Sequence, residues 1–311
     1  MLRKKALKKI FITTLSLLLV SIIYLFPENK NVKISNNVSY QKIDKRAIYL
    51  PNNEEYISRI MVIKNNNKTI DAVKEIINYL TIGSNYNDYL PNFIKPIIPK
   101  NTNLLNISLD NGLLKINFSK NFINVKKSNE NKLIESLVYS LLEIKEIKNI
   151  MIFVEGEKLT ILPKSNIKLP PTLDKSIGIN KIYDISDYHN INEVTTYYIA
   201  KNNDNYYYIP ITKVANFSDD KIKIIISELK SSLIYQTNLM SFLKANVELE
   251  DYEILENKIK LSFNNYIFDD FNNKNILEET KYSISLSVRD TYNIDTVVFN
   301  VNKKDIIEFN V

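Results

Sequence analysis

Lys115-Ile116-Asn117-Phe118 returns 145 residues later as Lys260-Leu261-Ser262-Phe263, and that echo decides the fold. It has company on both sides. Ile70-x-x-Val73-x-x-Ile76-Ile77-x-x-Leu80 is matched by Ile222-x-x-Ile225-Ile226-x-x-Leu229, and Ile150-Met151-Ile152-Phe153 by Thr296-Val297-Val298-Phe299. Beyond Ala47 the pattern reads strand–strand–helix–strand–strand–helix–strand, and near Thr195 it begins again. Apolar positions are kept between the copies while polar ones change. That is the mark of a duplicated fold, and it is poor ground for a catalytic site, which needs particular polar residues.

Local signals define each copy. Tyr56 to Ile63 reads as a strand, and Thr69 is the expected N-cap of a helix with Asp71 in its first turn, favoured by the helix dipole. Asp110-Asn111-Gly112 separates two alternating apolar runs, a strong hairpin signal. A helix is expected from about Asn129 to Glu146, then a strand ending near Gly156. In the second copy a helix is expected from Asp219 to Ser232 with Ser218 as cap. Tyr282-Ser283-Ile284-Ser285-Leu286-Ser287-Val288 alternates like a strand. In register with the first copy it is a helix, and the repeat takes precedence.

Composition narrows the function classes. With 45% hydrophobic and 24% charged residues the 311-residue chain is a folded one. It has 4 Gly, too few for phosphate-cradling loops, and neither a Walker A nor a dinucleotide fingerprint. The net charge of +6 is concentrated at Arg3, Lys4, Lys5, Lys8 and Lys9. The other basic residues nearly balance the 35 acidic ones. A basic excess confined to a tail does not mark a nucleic-acid binder.

Behind that tail, Ile10 to Phe26 is an uncharged, mostly apolar run closed by Pro27. As a helix it covers about 25 Å, the short end of what spans a bilayer. The positive-inside bias would leave residues beyond it outside the cell. A cleaved signal peptide is the rival reading, although no small-x-small cleavage site follows Leu25. With 0 Cys, disulfides and cysteine acylation are excluded.

Candidate chemistry is sparse. His189 is the single histidine, so the common zinc and iron sites cannot be assembled from His and Cys, and no Gly-x-Ser-x-Gly elbow accompanies it. Asp269-Asp270-Phe271-Asn272-Asn273 is rich in oxygen but lacks the glycine and terminal Glu of an EF-hand. Asp219-Asp220 is explained by a helix dipole, and Glu248, Glu250 and Asp251 by a solvated strand edge. Catalytic, cofactor and metal residues are therefore assigned to none. Tyr197, Tyr198, Tyr206, Tyr207 and Tyr208 are the candidate partner-binding residues. Alternation along a strand should bury half of them and expose half, and exposed tyrosines are good interface anchors. A solvated hairpin face is the competing reading.

At the first hairpin the chain becomes familiar. Ile98-Pro99-Lys100-Asn101-Thr102-x-Leu104-Leu105 and Leu109-Asp110-Asn111-Gly112-x-x-x-Ile116-Asn117-Phe118-Ser119 resemble the GerMN-domain family of spore germination and sporulation proteins. Ala72, Leu80 and Gly83 support the likeness, as does Ile147-x-x-Ile150-x-Ile152-x-Val154-x-Gly156. The second copy is more diverged. The resemblance implies an α+β fold of two tandem modules, each an antiparallel sheet with two helices on one face, similar to ring-building domains.

The expected divisions are a basic cytoplasmic tail (1–9), a transmembrane anchor (10–26), a spacer (27–45), a first module (46–162), a linker (163–193) and a second module (194–311). Function is implied as that of a membrane-tethered, extracytoplasmic non-enzyme. Family members support assembly of a channel complex between mother cell and forespore, so other envelope proteins are the expected partners, with homo-oligomers left open. A sensory or ligand-binding role outside the membrane is the alternative.

Overall fold

The computed structural model describes residues 4–25, 44–203, 205–217, 219–231, 238–270 and 272–310, in two compact units, 1–42 and 43–311. The first unit contains one helix, α1 (Lys4–Leu25). Its Thr13, Ser16 and Ser21 hydroxyls donate back to carbonyls three or four residues earlier, a local satisfaction of polar groups on an otherwise apolar helix. Among the described residues no helix is long and apolar enough to cross a membrane. The expected transmembrane span over 10–26 is thus not found. The helix starts with lysines, carries hydroxyls within, and Phe26 lies outside the described residues. Spacer residues 27–43 and the expected cap Ser218 also lie outside them.

The second unit contains both copies. The first runs β1 (Lys45–Pro51), β2 (Ile57–Ile63), α2 (Thr69–Leu80), β3 (Leu104–Asp110), β4 (Leu113–Phe118), α3 (Glu130–Leu141), β5 (Asn149–Val154) and β6 (Glu157–Lys158). A short strand β7 (Ile182–Asp184) intervenes. The second copy repeats the order as β8 (Ile191–Asn202), β9 (Asn205–Asn216), α4 (Lys221–Lys230), β10 (Leu249–Leu255), β11 (Lys258–Phe263), α5 (Glu278–Tyr292), β12 (Thr296–Val301) and β13 (Lys304–Asn310). The alternating stretch Tyr282–Val288 is helical, inside α5, as the repeat required.

Each copy builds a four-stranded sheet, β3-β4-β5-β6 and β10-β11-β12-β13. These sheets are mixed, not antiparallel as expected. β3–β4 is a hairpin closed by Asn111 (φ 47°) and Gly112 (φ 82°), where positive φ suits Asn-Gly. The β4-to-β5 connection crosses over through α3, so the chain returns parallel. β11 and β12 are parallel for the same reason, with α5 as the crossover.

The first hairpin of each copy leaves its own sheet and enters a shared one. β1 pairs with β2, β8 with β9, and β2 meets β9 antiparallel at Arg59–Tyr208. These two residues are 149 apart, so equivalent strands of the two copies face each other, as across an isologous interface. The stretch expected as linker takes part: β7 pairs parallel with β9. Asn180 (φ 49°) fills the gap between β2 and β9. It accepts from Ile57 N–H and donates to the carbonyls of Ile57 and Pro210, each at 2.8 Å, standing in for missing ladder bonds.

Each copy has its own apolar core, centred on Leu114, Ile116, Leu137 and Ile150 in the first and on Leu261, Ile225, Ile284 and Val297 in the second. A third cluster joins Tyr49, Ile57, Tyr139, Ile179, Tyr197 and Leu286, and it lies at the seam.

Candidate functional site at the seam between the copies

Two equivalent sets of polar residues meet behind the shared sheet. Tyr49 on β1 donates its backbone N–H to Ser140 Oγ of α3 at 2.8 Å, and its hydroxyl to Glu143 Oε1 at 3.0 Å. Tyr197 on β8 donates its N–H to Ser287 Oγ of α5 at 2.9 Å and its hydroxyl to Asp290. Tyr, Ser and acid therefore recur at offsets of 147–148 residues. The two tyrosine hydroxyl oxygens lie 2.8 Å apart, at the point where the copies face each other.

The acids lie at the C-terminal ends of their helices, where the dipole disfavours a negative charge. Cations offset this. Arg289 grips Glu143 with two bonds, Nη2 to Oε1 at 2.6 Å and Nη1 to Oε2 at 3.2 Å, and its Nε reaches Asp290 at 3.1 Å. Lys175 Nζ lies 2.5 Å from Asp290 Oδ1 and 3.5 Å from Glu143 Oε1. Arg59 Nη2 stands 3.9 Å from Glu143. Burial alone would raise the Glu143 carboxyl, but Arg289, Lys175 and Arg59 hold it well below the usual range. Lys175 and Arg289 likewise hold Asp290 low against the effect of burial. Burial, reinforced by the neighbouring carboxylates, pushes the Tyr49 and Tyr197 hydroxyls up, so both stay protonated.

With both acids ionised, the two hydroxyl protons cover two of the three short oxygen–oxygen links in Glu143–Tyr49–Tyr197–Asp290. Arg289 Nη2, 3.5 Å from Tyr49 Oη, faces the same chain. The arrangement clamps one copy on the other through charge and hydrogen bonds. Two clefts flank it: one of about 590 Å³ bordered by Lys175, Asp290 and Asp295, and one of about 400 Å³ bordered by Arg46, Arg59 and Lys64. Glu143, Lys145 and Arg289 line both. Other buried carboxylates are consumed locally. Glu75 accepts from the backbone N–H groups of Asn65 and Asn66, and Glu130 from those of Lys164 and Ser165.

The five tyrosines do not form one exposed patch. Tyr197 and Tyr198 are both buried, because helices cover one face of β8 and the Leu239 segment lies against the other. Tyr207 is buried against Phe93, with ring centroids 4.8 Å apart, and Tyr208 is half-buried beside Tyr282. Tyr206, 44% exposed, is the one that reaches solvent. His189 is exposed and paired with Asp187 at 3.5 Å. Asp270 Oδ1 accepts from the N–H groups of Asn272 and Asn273, a self-contained turn. Among the described residues no group of three or more His, Cys, Asp or Glu is placed to hold a metal.

Apart from Tyr197, the seam residues were missed by motif reasoning, since Glu143, Arg289 and Asp290 look like ordinary polar ends of helices. The signal was the repeat itself. Tyr49/Tyr197, Ser140/Ser287 and Glu143/Asp290 are polar identities or near-identities at the period of the apolar pattern.

Two β-β-α-β-β-α-β-β copies joined through their first hairpins define a tandem-module α+β protein. A family described as Germane, sporulation and spore germination, matches residues 47–160, so the first copy is a GerMN domain and the resemblance read from the sequence is borne out. The chain is 28% identical over 243 residues to the spore germination protein GerM of Bacillus subtilis (strain 168), covering 76% of this chain and 66% of that protein. It spans, that is, just under two thirds of that relative's length. It is also similar to the solved tandem GerMN domains of the sporulation protein GerM from Bacillus subtilis. There the TM-score is 0.74 and identity 26%, covering 84% of this chain and 92% of that one.

Proposed function

We propose that this protein is a membrane-attached, extracytoplasmic assembly protein of the sporulation and spore germination envelope machinery, acting through protein–protein contacts without catalysis. The observation that carries this reading is the tandem arrangement itself, shared with GerM at a TM-score of 0.74. Its duplicated polar residues serve to join two modules, a use that supports a rigid scaffold. Outer strands β3 and β10 are equivalent in the two copies and carry exposed Leu105, Ile254 and Leu255. Unpaired strand edges with apolar side chains suit strand addition by a partner. Tyr206 offers a further contact.

Membrane attachment belongs to the proposal through α1. Leu7, Phe11, Ile12, Leu15, Leu17 and Leu18 are more than half exposed along one short helix behind a basic start. Such a face is at home in lipid. A single pass with the N-terminus cytoplasmic follows from the positive-inside bias.

Affinity capture of the tagged full chain from sporulating cells tests the scaffold reading. Recovery of envelope-complex proteins is expected, with defective complex assembly in a deletion strain. Normal assembly in that strain, with no envelope protein recovered, would sink it. Ligand binding outside the membrane stays as a second reading because one observation favours it: the unfilled guanidinium of Arg59.

A further inference from the structure

The cleft of about 400 Å³ is unusual in its charge. Six cations border it, Lys45, Arg46, Arg59, Lys64, Lys145 and Arg289, against two carboxylates, Glu143 and Glu146. Part of that excess is already engaged. Arg289 holds Glu143, Arg46 lies 3.8 Å from Glu75, and Lys145 pairs with Asp295 at 3.0 Å. Among the described residues, Lys45 and Lys64 have no carboxylate within salt-bridge distance.

Arg59 is the decisive residue. Its side chain is only 10% exposed, yet its Nε has no hydrogen-bond partner. Nη1 has only the Met61 sulfur at 3.4 Å, a weak acceptor, and Nη2 has Glu143 at 3.9 Å, beyond hydrogen-bond reach. A buried guanidinium so poorly satisfied is costly unless something completes it. The strand pattern explains its place. Arg59 pairs across the hairpin with Tyr49, and Met61 with Ala47. Ala47 and Met61 line the cleft beside Arg59, so a wall of apolar side chains lowers the local dielectric around the cation.

We infer that this cleft is a binding site for an oxyanion, a phosphate or carboxylate group, held by the Arg59 guanidinium with Lys45 and Lys64 at its rim. A planar fork that lacks acceptors matches two oxygens of such a group. The site is separate from the strand edges of the scaffold proposal, and either reading can fail alone.

Calorimetric titration of the full chain in detergent with inorganic phosphate, and separately with acetate, tests it. Saturable heat with at least one anion is expected, and which anion gives it identifies the source. Arg59→Met should weaken binding by about tenfold or more, the loss of one charge-assisted contact. Lys64→Gln, a change at the rim that leaves the core intact, should weaken it severalfold. Circular dichroism of both variants checks that the fold is kept. Lack of saturable heat with either anion would overturn the inference, as would binding that both folded variants retain in full.

Discussion

Glu135 sits on the inner side of α3, its Oε2 3.1 Å from the backbone N–H of Asn180. Burial pushes its carboxyl up from 4.5 to about 7, with the Asn180 N–H, Lys181 and Lys132 opposing only in part. The fold therefore holds this proton more tightly than the unfolded chain does. Its contribution to stability is full below about pH 4.5, declines as pH rises toward about 7, and is level above. Thermal unfolding followed across that window should show this slope, and Glu135→Gln should flatten it. An unchanged slope in the variant would refute the assignment. Glu143 behaves oppositely. Its carboxyl is held low, so its contribution is full above about pH 4.5 and is lost progressively as pH falls below that. Glu143→Ala leaves Arg289, Lys175 and Arg59 short of negative charge in a buried place, and should cost about 3–5 kcal/mol by denaturant titration. Tyr197→Phe leaves Asp290 with Lys175 and Arg289, and should cost only about 1 kcal/mol. Equal losses for the two would show that the charge pairing is not what holds the seam.

Among the elements, Asn180 is the small piece on which the shared sheet depends. β2 and β9 pair at a single residue couple, and the Asn180 side chain supplies the next rungs. Asn180→Ala removes three bonds and places alanine at φ 49°, so about 3 kcal/mol should be lost. Hydrogen exchange should then rise at Ile57 more than in either core. Exchange rising equally everywhere would deny it this local role. The elements also show what a sequence makes legible. Asp110-Asn111-Gly112 fixed its own hairpin because the turn is chemically local. The repeat decided α5 where alternation alone pointed to a strand. The exchange of hairpins into a common sheet was not legible, because strand partners depend on surfaces far apart in the chain. For the same reason Tyr197 and Tyr198 alternate like a half-exposed strand, yet both are covered. The parallel pairing of β4 and β5 was implicit in the helix between them and was misjudged as antiparallel.

At the scale of the whole molecule, the proposed attachment to a membrane is most open to direct measurement. The chain has 0 Cys, so a single introduced cysteine reports its own surroundings without background. A cysteine at Tyr188 or His189, both exposed, should react with an impermeant maleimide on intact cells, whereas one at Lys4 should react only after lysis. The protein should stay with membranes through an alkaline wash. Labelling of all three on intact cells, or release by the wash, would overturn the proposed single-pass topology.

The seam is only half symmetric. Tyrosine, serine and acid are duplicated, but Arg289 stands opposite Leu142, Arg59 opposite Tyr208, and Lys175 belongs to the connecting segment. A self-pair of the first half would leave its two Glu143 carboxylates with Arg59 alone, without the two-bond grip of Arg289 or the Lys175 ammonium. Fusion thus let the halves become left and right hands. Severed between β6 and β7 and mixed, the first half should choose the second over another copy of itself, and size-exclusion chromatography of the mixture would show it.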